Sequence, residues 1–335
     1  MADVVVVVGT RRGHEGVSAA EIRQMVGRAG RRHGGATCEA YVILDDEDLD
    51  DIRDGMNDPA GYEVKSSLES CDNLVFHLLA EVCGGSVSDE QEAESWYSRS
   101  FGAFQGLKPN FKRAMAKLME YGAVEENPLG YMPTKMGTIA SELYFHPADV
   151  KAWKDNFDEV FNMGLEREDS AIAWALGSVP VMAAPGDFGK HRFVLSLCKE
   201  AIPAGLEVKP GMLTKITLWW SALGGPSVGR MRNQMLGLRD DFGRIYRALL
   251  RMDKEVAMWG KEVFFKELES RVRKGIPVHL KELCKLPGIT KGRADYLYEL
   301  GVRDRNGIRD IIDSIDGEVD EPFLNDLRGI ANGVF

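Results

Sequence analysis

Residues 4–8 are five consecutive valines, an apolar run of strand length. An unbroken run of that kind predicts a strand buried on both faces, as in the interior of a parallel sheet. A second run, CEAYVIL (38–44), predicts another buried strand. Between them Ser18 and Glu21 have the spacing of a capping box and predict a helix from there to about Gly30. The acidic run DDEDLDDIRD predicts a further helix start, because carboxylates favour the positive end of the helix dipole. Strand, helix, strand, helix is α/β logic, yet two strands do not make a sheet that stands alone. This segment is therefore expected to complete another sheet or to end a larger domain.

From about residue 67 the period changes to that of helices. LESCDNLVFHLLAEVCGG places Leu74, His77, Leu78 and Val82 on one face and stops at a Gly-Gly pair. Shorter helical patterns follow at 88–98 and 110–121. AVEENPLGYMPT then gives two short extended runs around Pro128–Gly130, the pattern of a hairpin. Helices followed by a hairpin suggest a winged helix. After about residue 148 nearly everything reads as helix, punctuated by Pro180, Pro185, Pro203 and Pro210, with Trp219 and Trp220 expected in the helical core. Near the end, HLKELCKLPGITKGRADYLYELGV predicts two short helices around a tight LPGIT turn. The fold class expected is mainly α with a small α/β part at the N-terminus.

Composition narrows the function. A chain of 335 residues with 44% hydrophobic and 28% charged residues is typical of folded, water-soluble proteins. No apolar run is long enough to span a membrane, and the reading places the protein in the cytoplasm. The five cysteines never take CxxC spacing and the six histidines are isolated, which argues against a zinc or disulfide framework. Net charge is −10, but unevenly spread. Residues 38–98 hold 17 acidic and 2 basic side chains, whereas residues 228–274 hold 12 basic and 7 acidic. A basic helical stretch thus survives in an acidic chain, and local fields govern phosphate binding more than the total does.

QMVGRAGR (24–31) follows the pattern QxxGRxGR. It resembles motif VI of superfamily 2 helicases, the Ski2-like group in particular. The resemblance implies that Arg28 and Arg31 reach the γ-phosphate of ATP, that Gln24 contacts the nucleotide, and that Gly27 and Gly30 permit close approach. It also places the start of the sequence just after motif V. No GxxxxGK[ST] phosphate loop occurs in the 335 residues. YVILDDED (41–48) imitates a strand ending in a magnesium-binding acid pair, but it lies after motif VI and is not read as one.

The remaining sequence resembles the C-terminal half of the Hel308 DNA helicases. That likeness is carried in order by LESCDNLVFHLLAEVCGGSVSDEQEAESWYSRSF, FKRAMAKLMEYGAVEENPLGYMPTKMGTIASELYFHP, GLRDDFGRIYRALLRMDKEVAMWGKEVFFKELESRVRKGIP and LKELCKLPGITKGRADYLYELGVRD. It implies four parts: a remnant of RecA-like domain two (1–58), a winged helix (59–148), a helical bundle with a "ratchet" helix (149–274) and a helix-hairpin-helix tail (275–335). On the ratchet helix Arg244, Arg247 and Arg251 share one face. The likeness puts Arg244 where the family carries an arginine, and Arg251 where many members carry a tryptophan that stacks on a base. A solvated face paired with Asp240, Asp241 and Asp253 is the alternative for these arginines. In the tail, Gly288, Lys291 and Arg293 are candidates for a phosphate contact at a helix start. The acidic wing EENPLGY is expected to brace rather than bind DNA.

The expected function is the C-terminal subunit or half of an ATP-dependent DNA helicase acting on single-stranded or forked DNA. ATP and Mg2+ would be shared with a partner chain carrying RecA-like domain one, and the chain alone would be inactive. The alternatives are an ATP-independent single-strand-binding module and a regulatory protein that docks on a helicase.

Overall fold

A computed structural model describes residues 4–9, 11–12, 15–30, 38–57, 64–182, 192–226, 232–315 and 317–333. Helix accounts for 62% and strand for 7%, so the fold is mainly α with a small α/β part, as expected. The chain divides into two compact units, residues 1–66 and 67–335.

In the first unit β1 (Val4–Val8) and β4 (Glu39–Ile43) pair in parallel, Val4 opposite Glu39 and Val8 opposite Ile43. Two dipeptides between them, β2 (Arg11–Arg12) and β3 (Glu15–Gly16), pair antiparallel and had no signal in the hydrophobic pattern. Helix α1 (Ala19–Val26) begins with the expected box: Ser18 Oγ accepts from the Glu21 amide and Glu21 accepts from the Ser18 amide. It ends at Gly27, well short of Gly30, because each of its last amides turns back to close a terminal loop. Helix α2 (Leu49–Asn57) follows a 3-10 turn at Asp46–Asp48. The expectation of two buried strands fails. Val4, Val6 and Val8 are 49, 53 and 75% exposed, and Tyr41 and Ile43 are exposed too. Only Val7 of the valines is buried, and Ile22 of α1 is fully so. Apolar composition made the strands, but within this unit there is too little chain to cover both faces of the sheet.

The second unit starts with helices α3 (Cys71–Cys83), α4 (Glu90–Ser98), α5 (Phe101–Phe104) and α6 (Phe111–Glu120). The predicted hairpin follows as β5 (Val124–Asn127) and β6 (Gly130–Pro133), then α7 (Lys135–Glu142), capped by Thr134. Next come α8 (Pro147–Asn162), α9 (Asp169–Gly177), α10 (Arg192–Ala201), α11 (Leu213–Ala222), the 21-residue α12 (Arg232–Met252) and α13 (Glu262–Lys274). One continuous apolar core runs from Leu74 of α3 to Val272 of α13. The hairpin segment and the helical bundle therefore share their interior.

Helix α9 is the bundle's centre, with every residue from Ser170 to Gly177 buried. Its sequence, apolar all round, has no face for solvent. Gly177 lets α11 approach: a Cβ there would lie 2.6 Å from the Ile216 amide nitrogen. Trp153 and Trp219 fill the surrounding space, the former donating from Nε1 to the Leu176 carbonyl at 3.2 Å.

After α12 the backbone widens into a π-helical turn, Asp253–Ala257, and Met258 takes a left-handed conformation. The turn is held from both sides. Buried Asp253 accepts from the Lys261 amide, and Trp259 Nε1 donates to Asp158 at 2.6 Å. The tail has its own apolar core, Leu280 to Ile330. It consists of α14 (Lys291–Glu299), α15 (Arg305–Ile311) and α16 (Glu321–Asn332). The first of the two helices expected around LPGIT is instead a pair of 3-10 turns, Val278–Leu280 and Leu283–Lys285. Pro277 and Pro287 confine that stretch, and the residue before a proline avoids the helical region.

Candidate functional site

Three groups of candidate residues lie on three different supports. At the end of α1, Gln24, Gly27 and Arg28 are exposed, and Gly30 has a φ of 74°. A Cβ at Gly30 would meet the Cys38 sulfur at 2.8 Å, so the glycine lets the chain pass close to the start of β4. Gln24 lies in the last turn of the helix and Arg28 on the turn beyond it. Arg31 lies outside the described residues.

On α12 the three arginines do share one side of the helix, but their surroundings differ. Arg247 is exposed, its Nε donating to the Gly243 carbonyl of its own helix at 3.3 Å. Arg244 lies over the Phe145 ring, 5.1 Å from its centroid, with Asp241 3.5 Å away. Arg251 is clamped. It donates from Nε to Glu255 at 2.8 Å and from Nη1 to Glu142 of α7. Those hydrogen bonds, Glu255's foremost, raise the guanidinium pKa further above its ordinary value. Of the partners the sequence suggested, Asp241 serves Arg244, whereas Asp253 is turned inward to the Lys261 amide.

Other members of the basic stretch also have structural work. Arg239 donates from Nε and Nη2 to the Ala222 carbonyl, at 3.1 and 3.0 Å, and so caps the C-terminal end of α11. Burial lowers its pKa. Arg271 is buried against Asp169 at 2.6 Å. Asp169 also accepts from the Val278 amide at 2.6 Å, which ties α9, α13 and the start of the tail together. Part of the positive excess legible in residues 228–274 is therefore spent on holding the fold together, while Arg247, Lys254, Lys266, Arg273 and Lys274 stay exposed.

In the tail, Thr290 caps α14, and Lys291 stands 3.8 Å from Asp295 with its side chain 43% exposed. Arg293 is committed to the turn itself. It donates to the Gly288 carbonyl at 2.9 Å and to Asp326 at 2.8 Å, and lies over the Phe323 ring. Gly288 has a φ of 73°, and a Cβ there would stand 2.5 Å from the Asp326 carboxylate. This arrangement pins the LPGIT turn to α16. Among the described residues no cluster of three His, Cys, Asp or Glu side chains is placed to hold a metal ion.

Sequence reasoning missed a cavity of about 490 Å³ beside α12, lined by Tyr144, Phe145, Asp149, Gly237, Leu238 and Arg244 among others. Its walls come from segments some ninety residues apart, and only the aromatic pair after α7 marked the place in the sequence.

Sequence likeness, at low identity but over most of the chain, links it to one class of protein, the ATP-dependent DNA helicases. The chain is 23% identical to the ATP-dependent DNA helicase Hel308 of Thermococcus kodakarensis, over 89% of this chain and 29% of that protein. It is 24% identical to Hel308 of Methanocaldococcus jannaschii over 97% of this chain and 28% of that protein. With Hel308 of Caldivirga maquilingensis it shares 28% identity over 45% of this chain and 20% of that protein. The chain thus spans less than a third of the length of these curated relatives. No protein-family profile matches it. The likenesses support a helicase-derived chain, and no helix among the described residues is long and apolar enough to cross a membrane.

Proposed function

We propose that the chain is the DNA-handling C-terminal part of an ATP-dependent DNA helicase. The observation that carries this reading is the similarity to Hel308 helicases over 89 and 97% of the chain. In this reading residues 1–58 belong to RecA-like domain two, 59–148 form a winged helix, 149–274 a bundle whose ratchet helix is α12, and 275–335 a helix-hairpin-helix tail. A phosphate loop is absent from the 335 residues, so it comes from sequence outside them, on the same polypeptide or on another.

ATP and Mg2+ would then meet Arg28 and Arg31 across a cleft. The exposure of Gln24, Gly27 and Arg28 together at the end of a well-capped helix fits that role. When bound, the nucleotide supplies the phosphoryl transfer that drives movement. The arginines offer fixed positive charge to the phosphoryl oxygens as charge spreads over them. On α12, Arg247 and Arg244 would meet the DNA backbone, a role their exposure supports. Arg251, clamped by two carboxylates, holds α7 to the end of α12, and Arg293 stabilises the tail turn.

The test is ATPase and DNA binding of the chain combined with a RecA-like domain one. Arg28→Ala or Arg31→Ala is expected to cut DNA-stimulated ATPase by about 10³–10⁵, with DNA affinity unchanged. Full ATPase after both changes overturns the assignment. Binding of single-stranded DNA by the chain is expected to weaken steeply with salt, and no binding at low salt removes the nucleic-acid role.

A further inference from the structure

Tyr144, just past the end of α7, has a φ of 61°, a left-handed conformation that a bulky aromatic residue rarely adopts. Its backbone is held there by neighbouring bonds, its own amide donating to the Ser141 carbonyl and that of Phe145 to the Ala140 carbonyl. The result is an aromatic ring 70% exposed to solvent, its position fixed by an edge contact with Phe76 at 5.1 Å between centroids. These are the bonds of a left-handed helix cap closing α7, with an aromatic residue at the position where glycine is usual.

The ring stands at the 490 Å³ cavity beside α12. Phe145 is nearly buried in its wall, and Arg244 lies over that ring. Arg244 is 43% exposed, and its one acidic neighbour, Asp241, is at the limit of hydrogen-bond range. The cation can therefore turn to another anion. Asp149, the other carboxylate lining the cavity, is already spent on the amides of Val181 and Met182, at 2.7 and 2.8 Å. Gly237 completes the wall: a Cβ there would meet nothing within 4 Å, so the cavity reaches the helix backbone. A mainly apolar lining with an exposed aromatic and one available cation matches a nucleotide, with the base stacked and its phosphate paired.

We propose that this cavity receives one everted base of single-stranded DNA, stacked on Tyr144, with the adjoining phosphate on Arg244. The proposal rests on the single-strand role of α12 and adds to it a base-recognising pocket.

The test compares binding of a mixed-sequence single-stranded oligonucleotide and an abasic oligonucleotide of equal length to the full chain at low salt. Wild type is expected to favour the oligonucleotide with bases by about tenfold or more, as base stacking on an aromatic ring provides. Tyr144→Gly removes the ring and suits the positive φ, and Gly237→Met fills the cavity with a residue that favours helix. Both variants are expected to keep the wild-type melting temperature and salt dependence while losing most of that preference. Equal binding of the two oligonucleotides by wild type, or an undiminished preference in both folded variants, overturns the pocket and leaves the single-strand role standing. Absence of any binding by wild type overturns that role, and the pocket with it.

Discussion

Strand β1 and helix α9 are both almost wholly apolar in sequence, and they end in opposite environments. Three of the five valines of β1 are exposed, whereas residues 170–177 of α9 are all buried. The difference is in what the rest of each unit supplies. Around α9, helices α8 and α11 pack closely, and tryptophans, a glycine at its C-terminal end and buried polar bonds complete the fit. Around β1, among the described residues, there is one parallel neighbour, β4, and one short helix, α1, packed against it. Apolar composition states a demand for burial, and only the second unit meets its own demand.

That contrast orders the expected effects of substitution. The largest belongs to Asp169, which pairs with buried Arg271 and accepts the Val278 amide. Asp169→Ala removes the nearest carboxylate from a buried guanidinium, leaving it Glu267 at 3.8 Å, and is expected to cost about 3 kcal/mol in urea unfolding. A loss under 1 kcal/mol would mean that the bundle and tail do not depend on this tie. Gly288→Ala comes next. At a φ of 73° and against the Asp326 carboxylate it is expected to cost about 1–2 kcal/mol, seen as a lower midpoint for the tail.

A smaller effect is expected from pH. His146 is buried at the start of α8, where its Nδ1 accepts from the Ala148 amide and its Nε2 faces the Asp72 carbonyl. Burial lowers its pKa below the ordinary imidazole value of 6.5. The unfolded chain therefore takes up the proton first, and His146's contribution to stability is lost as pH falls through about 6.5 and below. His146→Asn keeps a capping side chain without the titration. Unfolding midpoints from pH 7.5 to 5.5 should fall more for wild type than for this variant, and parallel curves would discard the assignment. The smallest effect belongs to the first unit. Val6→Thr in β1, 53% exposed, is expected to change stability by less than about 0.5 kcal/mol. A larger cost in the presence of a RecA-like domain one would show that the strand's exposed face is covered in the working assembly.

Much of the local structure was legible from residues alone. The Ser18–Glu21 box, the hairpin around Pro128–Gly130 and the Gly-Gly stop after α3 depend on interactions within a few positions, and each formed where the spacing put it. The motif QMVGRAGR and the ordered likeness to Hel308 were legible for the same reason: both are written in consecutive residues. The candidate DNA face was legible only in outline. Helical period placed Arg244, Arg247 and Arg251 on one side of α12, but charge counting did not distinguish among them. Glu142, from a helix more than a hundred positions earlier, took Arg251, and the Ala222 carbonyl took Arg239. Tyr144 and Gly237 entered the picture only when folding set them around one cavity.

By itself, then, the sequence determined where helices and turns begin, which residues seek burial and which helicases the chain resembles. Capping, period and backbone preference act over one or two turns and are carried by neighbours in the chain. Tertiary structure alone decided which apolar runs are covered, which arginines remain available to an anion and where a cavity opens. Burial and ion pairing depend on distance in space, and side chains far apart in sequence become partners only when the fold brings them within a few ångströms.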